Sequence, residues 1–182
     1  MRTERKNSIR QTIVDTASRL FYEQGYGNTG INQIIEESGV VKSSLYTAFR
    51  TKEEILMTYL ETAGAATDEA LKAAAAKHTN AKDKVLGVFD FLIELVQQKN
   101  YYGCNFLNIV SEMPKDAEVV RRQIKKQKDG VRRLFAELLR PVQKEELADE
   151  IYILFEGALI GNKVHDDVWP VTVAREMVNK LL

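Results

Sequence analysis

A short polar segment, residues 42–47, carries the side chains with the clearest chemistry in this chain. It offers a cation, three hydroxyls and a phenol, in the order Lys42, Ser43, Ser44, Tyr46 and Thr47. Such groups donate hydrogen bonds to phosphate oxygens and to the base edges in the major groove of DNA. The segment alone fits two interpretations equally: a DNA-reading helix, or an ordinary helical hairpin with a polar outer face.

Two short helices joined by a tight turn at Gly39 are predicted to position these side chains. Apolar residues recur at helical spacing and give each helix a face to bury: Ile31, Ile34 and Ile35 in the first, Leu45 and Phe49 in the second. In a helix–turn–helix of this form, the second helix lies in the major groove while the first crosses the backbone.

Over about residues 8–56 the sequence resembles the tetracycline-repressor (TetR) family of bacterial transcriptional regulators. The matching residues are Gly25-Tyr26, Thr29, Ile31, Ile34, Gly39-Val40, Lys42, Ser44-Leu45-Tyr46, Phe49 and Lys52-Glu53-Glu54. Four positions depart from the family pattern: Gly30 replaces a hydroxyl residue, Ile35 an alanine, Val41 the serine that caps the second helix, and Ala48 a His or Tyr. Losing a serine cap costs about 1 kcal/mol, which tertiary packing can absorb.

The resemblance implies roles for individual residues. The expected groove-facing residues are Lys42, Ser43, Ser44 and Thr47, and the expected phosphate contacts are Tyr46 and Lys52. Thr29 and Asn32, at the start of the second helix, are further candidates. Because Gly30 has no hydroxyl, any DNA contact there is expected from its backbone N–H. In this family the first three helices bind DNA, and the body holds a small-molecule pocket and a dimer interface.

Composition indicates a globular protein. The chain has 182 residues, 45% of them hydrophobic and 29% charged, which is enough to bury a core. Its net charge is zero, but residues 1–52 hold eight Lys and Arg against five Asp and Glu. A basic head on an acidic body favours approach to phosphates.

The termini and the single cysteine point to a cytoplasmic protein. No run of 18 apolar residues is present, so no membrane span is expected. The N-terminus has no apolar core of the kind that secretory signals require. With one cysteine, Cys104, an intrachain disulfide is excluded.

Helical periodicity runs through nearly the whole chain, and all three prolines fall at predicted helix boundaries. The sequence therefore predicts an all-α fold of about nine helices. Three of them form an N-terminal helix-turn-helix DNA-binding domain, residues 1–52. The others form a ligand-binding and dimerisation domain, residues 53–182.

Other candidate chemistry is weaker. The histidines His78 and His165 lack paired spacing, and no catalytic constellation, metal site or cofactor is predicted. A basic cluster is interpreted as a solvated helix face rather than a second nucleic-acid surface: Arg121, Arg122, Lys125, Lys126, Lys128, Arg132 and Arg133. Cys104 has no cation among its sequence neighbours, which favours a buried or pocket-lining thiol over a redox sensor.

Two sets of body residues are candidates for the functions that the resemblance implies. Apolar and aromatic side chains line most small-molecule sites, and the candidates here are Phe89, Ile93, Tyr101, Cys104, Phe106 and Trp169. A stripe with small residues is the candidate dimer interface: Ile151, Leu154, Phe155, Gly157, Ala158, Leu159 and Gly161. For both sets, simple core packing is the competing interpretation.

The sequence thus favours a dimeric transcriptional regulator, a repressor that a small, mainly apolar effector releases from duplex DNA. The alternative is a helical enzyme or a protein-binding adaptor that does not bind DNA. Salt-dependent binding to duplex DNA distinguishes the two, because each phosphate contact adds about 0.9 to the slope of log affinity against log salt.

Overall fold

The computed structural model describes residues 2–182, with side chains from residue 7 onward. Within that part of the chain it has no strand and nine α helices, as the sequence predicts: α1 (Arg2–Gln24), α2 (Ile31–Ser38), α3 (Lys42–Ala48), α4 (Lys52–Ala76), α5 (Ala81–Val96), α6 (Asn105–Glu112), α7 (Glu118–Leu139), α8 (Ala148–His165) and α9 (Trp169–Leu181). Two short 3-10 turns, Arg140–Val142 and Glu145–Leu147, precede α8.

The chain divides into two compact units. Unit 1 comprises Met1–Ala63 and Asn108–Ile124. Within it α1 packs against both α2 and α3. Its core is apolar, built from side chains that are at most 2% exposed: Ile13, Ala17, Leu20, Phe21, Ile34, Leu45, Phe49, Ile55 and Leu56. The helix-turn-helix is therefore held by a core that it shares with α1 and α4.

The helix boundaries of the helix-turn-helix follow from backbone conformation. Gly39 ends α2 in the left-handed region at φ 66°, which glycine adopts without a steric penalty. The sequence predicts Thr29 as the N-cap of α2, because threonine is a common capping residue, but the structure differs. Gly30, rather than Thr29, is the N-cap of α2, and no side chain bonds to the freed N–H groups there.

Unit 2 comprises Gly64–Leu107 and Lys125–Leu182. Three aromatic rings meet at its centre, on α5, α7 and α8. The ring centroids of Phe89 and Phe135 lie 6.1 Å apart, and Phe155 meets both at 6.0 and 5.7 Å. Phe155 meets the other two rings edge to face, while Phe89 and Phe135 are stacked, and both arrangements are favourable beyond the area that they bury. Apolar residues from α4, α5, α7, α8 and α9 surround them.

Helices α8 and α9 pack closely at one glycine. A Cβ atom built on Gly161 would lie 2.8 Å from Cβ of Pro170, closer than such atoms approach each other. By contrast, a Cβ on Gly157, one turn earlier in α8, meets no atom within 4 Å. The two glycines of α8 therefore have different roles in the same helix.

The predicted division at residue 52 does not coincide with the compact units, since unit 1 includes the start of α4 and a later segment. The assignment of DNA binding to residues 1–52, and of ligand binding and dimerisation to residues 53–182, stays a prediction. None of the helices within residues 2–182 combines the length and the apolar character needed to cross a membrane.

The contrast between the two glycines of α8 gives a stability prediction. Gly161→Ala should lower the free energy of unfolding by about 1–3 kcal/mol, because the added methyl overpacks against the ring of Pro170. Gly157→Ala should leave it unchanged or raise it by up to about 1 kcal/mol through helix propensity alone. Urea denaturation of both variants at one protein concentration measures the difference. Equal effects would contradict the packing assigned to Gly161.

Candidate nucleic-acid interface

Helix α3 is fixed from one side and open on the other. Two apolar side chains anchor it: Leu45 within the helix and Phe49 directly after its last residue. Each is 1% exposed. The side chains of Lys42, Ser43 and Thr47 are exposed. An isolated helix of seven residues would not be stable in water, so these anchors hold it in place.

The remaining candidates on the open side of α2 and α3 are also accessible. Tyr46 is 46% exposed, Ser44 is half-buried, and Asn32 in the first turn of α2 is exposed. The six sequence-predicted DNA-binding residues on α2 and α3 are therefore all exposed or half-buried in this chain. The DNA contacts themselves stay predictions.

Thr29 is the first of two candidate residues whose side chains bond to the α1–α2 loop. Its side chain is fully buried. Its hydroxyl donates to the carbonyl of Gly25 at 2.7 Å and accepts from Nε2 of Gln24 at 3.2 Å. Those bonds hold the α1–α2 loop, so this hydroxyl is not available to DNA and its predicted contact is corrected.

Lys52 is the second. Its Nζ donates to the backbone carbonyls of Tyr26 and Thr29, both at 2.9 Å, and lies 4.0 Å from the centroid of the Tyr26 ring. Burial lowers the pKa of Lys52, and the nearby carboxylate of Glu112 opposes that shift. Two of its three N–H donors are thus used inside unit 1, and the predicted phosphate contact stays a prediction.

Glu112, at the end of α6, completes this loop site and was missed by the sequence analysis. Its carboxylate accepts from the backbone N–H groups of Gly27 at 2.6 Å and Tyr26 at 3.2 Å. A Cβ on Gly25, where φ is +93°, would lie 2.9 Å from this carboxylate, and one on Gly27 would lie 3.1 Å from it. Because Glu112 lies 85 residues along the chain from Gly27, no local pattern predicts the contact.

Arg10 on α1 is a second residue near α3 that sequence reasoning missed. Its guanidinium donates to the carbonyl of Ala48 at 3.0 Å and to Oγ1 of Thr58 at 3.2 Å. It also lies 4.0 Å from the centroid of the Phe49 ring. Its only sequence signal was membership of the basic N-terminal segment.

The candidate pocket residues of unit 2 differ widely in burial. Phe89 is fully buried within the three aromatic rings, and Ile93 packs against the same core. Tyr101 is half-buried. Trp169 is 49% exposed, with its ring 5.2 Å from that of His165, so it lies on the surface of this chain rather than inside a pocket wall.

Cys104, which packs against the same core as Ile93, and Phe106 both lie beside an ion pair that the sequence did not predict. Nζ of Lys128 lies 2.8 Å from a carboxylate oxygen of Glu156, with the two side chains only 12% and 16% exposed. The same Nζ is 3.4 Å from Sγ of Cys104 and 5.9 Å from the centroid of the Phe106 ring. Lys128 is therefore not part of a solvated face, and Cys104 does have a cation beside it.

Tyr152 belongs to the same polar group. Burial, with the carboxylate of Glu156 as the next contribution, raises the pKa of its phenol to about 12. The phenol therefore stays protonated and remains a hydrogen-bond donor over the whole physiological pH range.

The predicted dimer stripe is divided by the structure. Ile151, Phe155, Ala158 and Leu159 are at most 5% exposed in the core of their own chain. These four cannot contact a second copy without unpacking that core, so their assignment is corrected. Leu154 is half-buried, Gly157 is exposed, and Gly161 meets Pro170 of the same chain.

Comparison with known proteins identifies the N-terminal segment. Residues 13–57 match the family model described as "Bacterial regulatory proteins, tetR family". The uncharacterized HTH-type transcriptional regulator YxaF of Bacillus subtilis is 51% identical over 51 residues, which cover 28% of this chain and 27% of that protein. The chain thus spans only about a quarter of that relative's length at this level of identity.

Weaker similarity extends over the whole chain. The HTH-type transcriptional repressor NemR of Escherichia coli is 22% identical over an alignment that covers 100% of this chain and 98% of NemR. The crystal structure of SCO4454, a TetR-family transcriptional regulator from Streptomyces coelicolor, matches with a TM-score of 0.87 at 25% identity, covering 94% of this chain and 88% of that one.

The contact between Glu112 and the α1–α2 loop gives a double-mutant prediction. Gly27→Ala should cost about 1 kcal/mol of unfolding free energy, because its methyl displaces the carboxylate from the backbone N–H groups. In a Glu112→Ala background the same change should instead stabilise by about 0.4–1 kcal/mol, through reduced entropy of the unfolded chain.

The matched control is Gly30→Ala, since a Cβ there meets no atom within 4 Å. Its effect should be the same whether or not Glu112 is present. Chemical denaturation of all six proteins gives the coupling free energy. Additive effects of Gly27→Ala and Glu112→Ala would refute the contact.

Proposed function

We propose that this chain, which belongs to the tetR family of bacterial regulatory proteins through residues 13–57, acts in the cytoplasm as a dimeric transcriptional repressor. A small, mainly apolar effector would release it from a duplex DNA operator. One observation carries the proposal: an exposed polar surface on α3, a helix whose buried side chains fix it in place.

Some exposed side chains of α3 would contact base edges, and others would contact phosphates. Lys42, Ser43 and Thr47 would face the base edges, where a lysine donates best to the O6 and N7 acceptors of guanine. The phenol of Tyr46 would donate to a phosphate oxygen, which fixes the register of the helix without reading sequence. Asn32 would approach the backbone from α2.

Substitutions on α3 distinguish base contacts from phosphate contacts. Operators would first be selected from random duplexes. Lys42→Ala should then lose about 1–3 kcal/mol at one preferred base and relax the specificity there. Tyr46→Phe removes a single hydroxyl and should weaken binding to all duplexes by a similar factor. Affinities would be measured by fluorescence anisotropy at several salt concentrations.

The control for Lys42→Ala is Lys72→Ala, which removes the same charge from an exposed position on α4. It should leave the base preference of the protein unchanged. Failure of the unaltered protein to bind any duplex would refute the function and favour the adaptor or enzyme alternative. Equal effects of the two lysine substitutions would refute the role of Lys42.

The homodimer is proposed from exposed apolar side chains on α8 and α9. Of the twelve large apolar side chains that are exposed within residues 7–182, seven lie on these two helices: Ile153, Ile160, Val164, Trp169, Val173, Met177 and Leu181. Three of them, Ile153, Met177 and Leu181, line a groove of about 460 Å³. Clustered exposed apolar surface marks an association site. A two-fold axis there would present two copies of α3 to a pseudo-palindromic operator.

Charge insertion on this surface tests the dimer. Ile153→Asp and Val164→Asp place a carboxylate on side chains that are 66% and 72% exposed, so each should fold and yet shift the protein toward a monomer. Val119→Asp is the matched control, because Val119 is 55% exposed but lies on α7. Sedimentation or light scattering measures the mass. A monomeric parent protein at micromolar concentration would refute the interface.

The effector site is proposed for the part of unit 2 that contains Cys104 and Phe106. Phe106 would supply apolar contact, while the pair of Lys128 and Glu156 would satisfy a polar group on the effector. Release from DNA requires the effector to bind the DNA-free conformation more tightly than the DNA-bound one. By linkage, operator DNA must weaken effector binding by the same factor.

A thermal-shift screen of apolar and aromatic compounds, with and without operator, tests this coupling. Hits that raise the melting temperature of the free protein should lower its operator affinity. They should also raise transcription from a reporter promoter that carries the operator. Hits that bind without changing operator affinity would refute the regulation while leaving the DNA-binding proposal intact.

A further inference from the structure

A polar cleft lies between the N-terminal part of α1 and helix α3. Its volume is about 360 Å³, and its polar walls are Asn7 and Arg10 on α1 and Ser43, Ser44 and Thr47 on α3. Among the side chains of residues 7–182, no acidic one lines it. All of these residues belong to unit 1. The cleft therefore combines one cation with neutral polar groups, a composition suited to a singly charged anion.

The cation of this cleft is held in place by neutral partners. The guanidinium of Arg10 uses one N–H on the carbonyl of Ala48 and one on the hydroxyl of Thr58, and its central carbon lies 4.0 Å from the centroid of the Phe49 ring. A guanidinium has five N–H donors, so three remain. Within residues 7–182, no carboxylate lies within ion-pair distance of Arg10. Its charge is therefore fixed in position but not neutralised there.

The opposite wall supplies hydroxyl donors. The hydroxyl of Thr47 donates to the carbonyl of Ser43 at 2.7 Å, which leaves Thr47 as an acceptor only. Side-chain hydrogen bonds of Ser43 and Ser44 to residues 7–182 are absent, so both hydroxyls are free to donate into the cleft. A guanidinium facing two hydroxyls matches the oxygens of a phosphodiester, which carry one negative charge.

We infer that this cleft binds one phosphodiester of the operator backbone, with Arg10 as its principal cation. The inference rests on the proposed DNA-binding function and adds a contact that the family motif on α2 and α3 did not indicate. Ser43 and Ser44 occupy the flank of α3 next to α1, so the bound phosphate belongs to the strand that borders the groove on that side. The inference therefore moves the Ser43 hydroxyl from the base edges, where the proposed function put it, to this phosphate. Because Arg10 also bonds to Ala48 and Thr58, the phosphate contact sets the orientation of α3 relative to α1 and α4.

The decisive experiment replaces single operator phosphates by neutral methylphosphonates. With the unaltered protein, one position in each half-site should lose about tenfold or more in affinity, as expected when a charged hydrogen bond is removed. With Arg10→Gln, substitution at that position should have almost no further effect, while other positions keep theirs. The scan with the unaltered protein uses no variant, so its result stays valid even if Arg10→Gln folds poorly.

A salt titration gives a second readout. For each DNA-binding domain on the operator, Arg10→Gln should lower the slope of log affinity against log salt by about 0.9. It should not change which base is preferred at any position. Arg19→Gln is the matched control: it removes the same charge from the same helix, but Arg19 is already paired with Glu23 and Glu37. Its slope should match that of the parent protein.

The outcomes separate this inference from the function on which it rests. Absence of binding to any duplex would overturn the proposed function itself. Sequence-specific binding with an unchanged salt slope in Arg10→Gln, or with no phosphate position that depends on Arg10, would overturn only the cleft. Arg10-dependent binding of inorganic phosphate or of anionic phospholipid vesicles at concentrations that leave operator affinity unchanged would also overturn it, by showing a general anion site apart from DNA.

Discussion

The burial of Leu45 and Phe49 is the constraint on which the rest of this molecule depends. A helix of seven residues is too short to persist alone, yet it must present its polar side chains in a fixed order. Both apolar anchors are 1% exposed, and the ring of Phe49 also supports the guanidinium of Arg10. The core of unit 1 thereby determines the direction of α3 and the position of the cation beside it.

A second constraint comes from polar groups that are buried for structural reasons. Lys52 is placed where the family pattern suggests a phosphate contact, but its ammonium bonds two loop carbonyls and its pKa is lowered by burial. The sequence shows that a cation begins α4, and it cannot show the direction of that side chain. The same holds for Thr29, whose hydroxyl faces the loop. Arg10 and Glu112 were missed because their partners lie far along the chain.

Periodicity predicted the all-α fold and the nine helices because each helix repeats its apolar residues over several turns. Where a helix is apolar on two sides, periodicity could not tell which side is buried and which is exposed. In α8 the residues Ile151, Phe155 and Ala158 follow one stripe, while Ile153, Ile160 and Val164 follow another. Only the packing of α5, α7 and α9 around the first stripe distinguishes core from surface. Lys128 shows the same limit, since its pairing with Glu156 joins two separate helices.

The two stripes of α8 have a consequence for how fold and association depend on one another. The side chains of the first stripe are buried in the core of unit 2, so a charge there would unfold the chain whether or not it dimerises. The second is solvent-exposed in a single copy, so a charge there meets only water unless a partner covers it. Because different side chains of one helix would serve the two purposes, loss of the proposed dimer and loss of the fold are separable. The apolar stripe that the fold does not need is therefore the surface on which the proposed dimer can be tested without unfolding the chain.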